Sequence, residues 1–204
     1  MTATGNLYIV SAPSGAGKTS LLKALTSKDE GIATAISTTT RTKRLGEVDG
    51  TDYHFVTPDE FQNLIELDDF LEHAEVFGNL YGTSKIRLNE ALKNGLDLIL
   101  EIDWQGAQQI RQQLPSTTSI FILPPSRDEL ANRLKGRGQD DDSVIQKRMS
   151  AAIEEISHFN EYDYLVINDD FDQALNELEH IILAQRLTQT RQAELNQQLI
   201  QDLL

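Results

Sequence analysis

A glycine-rich turn near the start of the chain constrains the fold more than any other feature of the sequence. Residues 7–10 form a short apolar run typical of a buried strand, and residues 14–19 follow it with the sequence SGAGKT. Three leucines at helical spacing then predict a helix over residues 18–27. A strand, a glycine-rich turn and a helix in this order are the setting of a Walker A loop, whose backbone N–H groups and helix N-terminus bind phosphate.

The loop departs from the strict motif at Ala12, where the pattern has glycine. Because a positive φ is costly for alanine, we expect a negative φ there, with Gly15 and Gly17 providing the curl of the loop. Lys18 is expected to bridge the β and γ phosphates of ATP, and Thr19 to offer its hydroxyl to Mg²⁺. The predicted ATP-binding loop comprises Ala12, Pro13, Ser14, Gly15, Ala16, Gly17, Lys18 and Thr19.

Apolar, strand-like segments alternate with helical patterns along the rest of the chain, which predicts an α/β fold with a parallel sheet. Further strands are expected at residues 96–102, 119–123 and 164–167. Residues 37–84 instead read as an α+β insert. In this insert Thr57 and Glu60 predict a capping box at a helix start, and a turn near Gly78 separates two strands.

Composition narrows the classes of partner. The formal net charge of −14 argues against broad binding to a nucleic acid polymer or an anionic membrane, although clustered arginines can still form local anion sites. No apolar run reaches the length of a membrane span, and the absence of cysteine fits a reducing compartment. We therefore expect a cytoplasmic protein without membrane contact.

The C-terminal residues 184–204 are rich in glutamine and have widely spaced apolar residues. Two interpretations stay open for this helical tail. It is either a frayed, solvated helix or a contact surface that forms a homo-oligomer through the C-terminal helix.

A second group of motifs separates this chain from other proteins with a phosphate loop, which include GTPases, motor ATPases and kinases. The motifs are STTTRTKRLGE (37–47), DY (52–53), EHA (72–74), GNLYGT (78–83), EIDWQG (101–106), GRG (136–138) and VINDD (166–170). Together they resemble guanylate kinases, and the resemblance runs from about residue 5 to about residue 183.

The resemblance implies a three-layer P-loop NTPase core with a parallel sheet, formed by residues 5–36, 85–128 and 160–183. It further implies an inserted α+β GMP-binding domain at 37–84, a short helical lid within 129–159, and the tail at 184–204. The implied reaction transfers the γ-phosphoryl group of ATP to GMP, with Mg²⁺ as cofactor. We expect dGMP to serve as an acceptor as well. Such an enzyme belongs to purine nucleotide metabolism and GMP recycling.

Matched position by position, the family's acceptor site falls on eight residues of this chain. The phosphate of GMP is expected at Arg41, Arg44, Tyr53 and Tyr81, guanine at Glu72, Ser37 and Thr83, and the nucleotide also near Asp103. The residue types suit these roles. Guanidinium groups can bind a dianion in a bidentate manner, and a carboxylate can accept from guanine N1–H and N2–H₂ together.

The remaining implied roles lie on the ATP side. Lys18, Arg137 and Arg148 are the expected catalytic cations, while Arg133 and Asn168 are expected beside adenine. Thr19 and, through a water molecule, Glu101 are expected at Mg²⁺, although many relatives have aspartate at the position of Glu101.

Two other functions remain alternatives. Guanylate-kinase-like domains also occur as noncatalytic binding modules, and related P-loop kinases use other small phosphorylated acceptors. Lys18 and Thr19 favour an active loop, and Glu72 with Tyr81 and Thr83 favours a guanine nucleotide.

Overall fold

A computed structural model describes residues 4–135 and 142–204 of the chain. Its strands are β1 (Leu7–Ser11), β2 (Ile32–Thr34), β3 (Thr38–Thr39), β4 (His54–Phe55), β5 (Phe70–Val76), β6 (Asn79–Ser84), β7 (Asp97–Glu101), β8 (Thr118–Leu123) and β9 (Tyr164–Ile167). Its helices are α1 (Lys18–Lys28), α2 (Pro58–Glu66), α3 (Lys85–Lys93), α4 (Trp104–Gln113), α5 (Arg127–Lys135), α6 (Asp142–Ser157), α7 (Phe171–Arg186), α8 (Gln189–Leu195) and α9 (Gln197–Leu203). Within these described segments, none of the helices has the length and apolar character needed to cross a membrane.

The central sheet is parallel, as the alternation of strands and helices predicted. Its five strands lie in the order β2-β7-β1-β8-β9, and every neighbouring pair is parallel. In the middle strand, Tyr8 pairs with Ile99 of β7 on one side and with Thr118 of β8 on the other. The carboxyl ends of β1 and β7 therefore lie side by side at one edge of the sheet.

Alternate side chains of the central strands pack on opposite faces of the sheet, which produces three layers. On one face, Tyr8 and Val10 belong to a core cluster with leucines of α1 and apolar residues of α7. On the other face, Ile9 packs in a second cluster that includes Leu88 of α3 and Ile110 of α4. Strands buried on both faces need nearly continuous apolar sequence, which explains why β1, β7 and β8 were recognisable.

A second sheet, in the order β4-β3-β6-β5, is formed by strands between residues 38 and 84. Strands β5 and β6 form a hairpin through a turn at Phe77 and Gly78, which have φ angles of 50° and 75°. Helix α2 starts with the predicted capping box, because the Thr57 side chain accepts from the Glu60 backbone while the Glu60 side chain accepts from the Thr57 backbone. This sheet positions the residues expected to bind the acceptor.

The end of the chain is anchored to the core by a buried carboxylate. Asp97, at the start of β7, has a fully buried side chain that accepts from Arg186 Nε at 2.6 Å and from Arg191 Nη1 at 2.8 Å. Losing one partner of a buried ion pair typically costs about 3–5 kcal/mol. Helix α7 continues to Arg186, so this anchor includes the first part of the glutamine-rich tail, whereas Leu199 and Leu203 of α9 are exposed.

Candidate active site

A cavity of about 330 Å³ lies at the carboxyl edge of the central sheet. The phosphate loop lines one side of it, and Ser37, Tyr53, Glu72 and Tyr81 line the other. Asp103, two residues after the end of β7, also lines this cavity. Ligands of open parallel sheets commonly bind at this edge, since the loops that follow the strands converge there.

The phosphate loop has the backbone geometry that the sequence predicted. Gly15 and Gly17 both have φ of 93°, and Ala12 is not among the described non-glycine residues with positive φ. Gly17 is the N-cap of α1 and supplies no side-chain cap to the first turn. The N–H groups of that turn are thus left to an anionic group, which the positive end of the helix dipole also favours.

Asn168 braces this loop from the end of β9. Its side chain is 5% exposed, and its Nδ2 donates to the Ala16 carbonyl at 2.6 Å. A β-carbon on Gly17 would lie 2.4 Å from the same nitrogen, so glycine is needed there for close approach as well as for φ. Arg133 Nη2 donates to the Asn168 carbonyl at 3.1 Å, which places both residues beside the loop. Their contact with adenine stays a prediction.

Two oxygen-bearing side chains, Thr19 and Glu101, lie at the end of the loop next to Lys18. Thr19 Oγ1 donates to Glu101 Oε1 at 2.6 Å, and Lys18 Nζ lies 4.0 Å from the same oxygen. Glu101 therefore contacts Thr19, although its side chain is one methylene longer than the aspartate that many relatives have at this position. No group of three or more His, Cys, Asp or Glu side chains in the described residues could hold a metal ion. A hydroxyl and a carboxylate fit Mg²⁺, which prefers to complete its shell with phosphate oxygens and water.

The acceptor clamp is defined here as Arg41, Tyr53 and Tyr81, which the structure brings together. The Arg41 guanidinium carbon lies 5.3 Å from the centre of the Tyr53 ring, and the two tyrosine rings are 6.0 Å apart. Contact of Arg41 with Tyr81 is among the causes that raise the pKa of this arginine, after its hydrogen bond to Glu47. Arg44 lies on the same loop but is exposed.

Glu47 connects the two arginines, a role that the sequence motif did not suggest. Its Oε1 accepts from Arg41 Nη2 at 2.6 Å and its Oε2 accepts from the Arg44 backbone N–H at 2.7 Å. The hydrogen bond from Arg41 holds the pKa of Glu47 below its ordinary value. The only sequence signal for this role was the spacing of Glu47 from the two arginines. Spacing alone does not reveal which carboxylate of a loop contacts which arginine.

Glu72 and Thr83 form a buried polar pair opposite Asp103. The register of β5 and β6 places them directly across from each other, and Thr83 Oγ1 donates to Glu72 Oε1 at 2.7 Å. The two residues are only 4% and 2% exposed. Burial raises the pKa of Glu72 to about 7, and the charge of Asp103 adds to the increase. Such a carboxylate strongly favours a ligand that donates hydrogen bonds to it.

Helix α6 reaches the phosphate loop at Ser14 with two side chains. Arg148 Nη2 donates to Ser14 Oγ at 3.2 Å, and Glu155 Oε2 accepts from the Ser14 backbone N–H at 3.1 Å. The two residues are seven apart, which places them on one face of the helix. Burial raises the pKa of Glu155. Sequence reasoning missed Glu155 because no local motif marks it. Arg137, the other predicted lid cation, lies outside the described residues.

A phosphate loop on a parallel sheet, which lines one cavity together with Tyr53 and Tyr81 of the clamp, is the arrangement of a P-loop phosphotransferase. The family model for guanylate kinase matches residues 4–185. The chain belongs to the guanylate kinase family.

Full-length relatives agree with this family. The chain is 57% identical to the guanylate kinase of Escherichia coli (strain K12), with 99% of both chains covered, and 55% identical to that of Saccharophagus degradans, with 100% of both covered. The crystal structure of guanylate kinase from Anaplasma phagocytophilum superposes with a TM-score of 0.75 at 34% identity, covering 94% of this chain and 91% of that one.

Proposed function

We propose that this chain transfers the γ-phosphoryl group of Mg²⁺-bound ATP to GMP, and also to dGMP, within the cavity described above. The observation that carries the proposal is that one cavity is lined both by the phosphate loop and by Glu72 with Tyr53 and Tyr81. Donor and acceptor groups can therefore meet within one cavity. We further expect a cytoplasmic enzyme of purine nucleotide metabolism and GMP recycling.

On the donor side, the N–H groups of the loop bind the ATP phosphates while Lys18 bridges the β and γ groups. Thr19 and, through water, Glu101 would hold Mg²⁺, which would supply positive charge to neutralise the transferring group. Arg148 approaches the same group from α6, where it already contacts Ser14. Arg137 is proposed to join it from the lid at 129–159, while Arg133 and Asn168 lie on the adenine side.

On the acceptor side, Arg41, Arg44 and the two tyrosines bind the phosphate of GMP. Glu72 reads guanine, with Ser37 and Thr83 as hydroxyl partners and Asp103 beside the nucleotide. Guanine offers N1–H and N2–H₂ side by side, and a carboxylate can accept both. Adenine lacks these donors and leaves the buried Glu72 with only the Thr83 hydroxyl as a hydrogen-bond donor, a mismatch that typically costs several powers of ten in discrimination.

The attacking atom is a phosphate oxygen of GMP, which is already anionic near neutral pH, so the chain needs no general base. Catalysis consists of holding the two nucleotides in line and stabilising charge on the transferring group. We propose that the core, the insert at 37–84 and the lid at 129–159 act as separate units that close over the cavity. Closure excludes water, which prevents hydrolysis of ATP.

A single assay tests the proposal. ADP formation is measured with GMP, dGMP, AMP and UMP as acceptors, in the native chain and in Glu72→Gln. The native chain should use GMP and dGMP far better than AMP or UMP, and the variant should lose most of its preference for GMP over AMP. Turnover with none of the four acceptors would indicate a noncatalytic module, and equal discrimination by the variant would contradict the role of Glu72.

We also propose that the exposed apolar residues of α9 mediate contact with a second copy of the chain. Leu199, Ile200, Leu203 and Leu204 lie on this short helix and its end and are all exposed. A chain truncated after residue 195 keeps Arg186 and Arg191 on Asp97, so it preserves the anchor of the tail. Light scattering should give a smaller assembly for the truncated chain. An unchanged number of copies contradicts the proposal.

A further inference from the structure

Gly106 lies in the first turn of α4, directly against the carboxylate of Glu72. A β-carbon built on Gly106 would lie 2.8 Å from Glu72 Oε2 and 3.4 Å from its Cδ. The first distance is shorter than real carbon–oxygen contacts of this kind, so one of the two groups would have to shift. Because Gly106 has no positive φ, the backbone conformation alone does not require glycine there.

The Glu72 carboxylate has little freedom to absorb such a shift. Its Oε1 is held by the Thr83 hydroxyl at 2.7 Å, and the side chain is 4% exposed. Moving Oε2 away from α4 would rotate the carboxylate about this hydrogen bond or break it. Ile102 restricts the β-carbon from another direction, since its own Cβ would lie 3.3 Å away.

The start of α4 is fixed as well. Asp103 is its N-cap, and its Oδ1 accepts from the Gly106 backbone N–H at 2.9 Å. Gly106 therefore lies against two residues that line the cavity. Its N–H donates to Asp103, and its lack of a β-carbon leaves room for the Glu72 carboxylate. The first turn of a helix also stabilises a nearby carboxylate through the helix dipole, and close approach strengthens that effect.

We infer that Gly106 is a specificity-determining position of the acceptor site, because its lack of a β-carbon leaves room for the Glu72 carboxylate in the orientation that reads the 2-amino edge of a guanine base. The inference rests on the proposed role of Glu72. It explains a glycine in the first turn of a helix, where alanine has the higher helix propensity.

The test compares GMP with inosine monophosphate, which lacks the 2-amino group but is otherwise the same acceptor. The ratio of kcat/KM for the two acceptors is measured in the native chain, Gly106→Ala, Glu72→Ala and the double variant. Gly106→Ala should lower the preference for GMP by about tenfold or more, with the KM for ATP unchanged. In the Glu72→Ala background the same substitution should leave the ratio unchanged, because the β-carbon no longer meets a carboxylate.

Gln108→Ala is the matched control, since Gln108 is exposed on the same helix. Its acceptor ratio should equal that of the native chain. If Gly106→Ala reduces turnover of both acceptors equally, or changes the ratio as much without Glu72, the inference is wrong. The double variant also decides the case in which Gly106→Ala alone folds poorly. If Glu72→Ala itself keeps the native ratio, then the proposed role of Glu72 fails instead.

Discussion

The two proposed anion sites of this protein are built in different ways. The phosphate loop presents backbone N–H groups from one continuous segment, residues 12–19, whose curl depends on Gly15 and Gly17. The acceptor clamp presents side chains, with Arg41, Tyr53 and Tyr81 coming from separate parts of the second sheet and its loops. The loop is therefore determined by local sequence, whereas the clamp depends on how the sheet folds.

Each site also has a glutamate of the chain in contact with it. Glu155 accepts from the Ser14 N–H of the loop at 3.1 Å, and Glu47 accepts from Arg41 of the clamp at 2.6 Å. Groups arranged to bind phosphate attract any nearby carboxylate, and the chain supplies one in each case. The two glutamates differ in the direction of their pKa shifts. Burial raises the pKa of Glu155, while the hydrogen bond from Arg41 lowers the pKa of Glu47.

The largest expected effect tests the loop. Lys18→Ala should keep the fold but lower kcat by about a thousandfold or more, because the substitution removes the charge that follows the transferring group through the reaction. Steady-state GDP formation measures the loss, and thermal unfolding checks the fold.

Lys23→Ala on the same helix is the matched control, since Lys23 is exposed. It should retain native turnover. GDP formation by Lys18→Ala at the native rate would contradict the role of the loop lysine and, with it, the contrast between the two sites.

The second effect tests the clamp. Arg41→Lys keeps the charge but loses the planar pair of donors, so the KM for GMP should rise about 10- to 100-fold while the KM for ATP stays constant. Lys43→Ala, an exposed neighbour, should change neither constant. A parallel rise in both KM values would show that Arg41 supports the whole cavity instead of the acceptor alone.

The same contrast explains what the sequence could predict. The loop and the capping box at Thr57 follow from patterns within about ten residues, the parallel sheet follows from the alternation of strands and helices along the chain, and the structure confirms all three. The residues proposed for the acceptor site could be predicted only through the family resemblance, because the register of β5 and β6 is what brings Glu72 to Thr83. Glu47, Glu155 and Gly106 were missed because their contacts depend on how separate segments fold against one another.

The third prediction concerns pH at the acceptor site. Burial raises the pKa of Glu72 from 4.5 to about 7, so the carboxylate proposed to bind guanine forms only near neutral pH. The KM for GMP should fall about tenfold from pH 6 to pH 8 as this group ionises. The fall should be much smaller in Glu72→Gln, which also reports the titration of the substrate's own phosphate.

The same shift has a consequence for stability. A carboxyl group with a raised pKa in the folded chain stabilises it fully below pH 4.5, and this contribution is lost as the pH rises through about 7. The Glu72→Gln variant should therefore show a smaller loss of unfolding free energy between pH 6 and pH 8 than the native chain. Identical pH profiles of the two proteins would contradict a buried, titrating Glu72.

The smallest expected effect tests whether the charge of Glu155 opposes nucleotide binding or whether this residue supports the phosphate loop structurally. Glu155→Gln keeps an oxygen that can accept from the Ser14 N–H but removes a negative charge near the ATP phosphates. The KM for ATP should fall about two- to fivefold, since a like-charge repulsion of about 1 kcal/mol is relieved. Because burial raises the pKa of Glu155, the native chain and the variant should converge as the pH is lowered.

Glu154→Gln provides the control, because this neighbouring residue is exposed on the same helix. It should leave the KM for ATP within experimental error of the native value. If Glu155→Gln raises the KM instead, then the charge of Glu155 supports the loop more than it opposes the nucleotide. The loop would then resemble the clamp, in that a side chain from a distant segment would be needed to hold its backbone in the binding conformation.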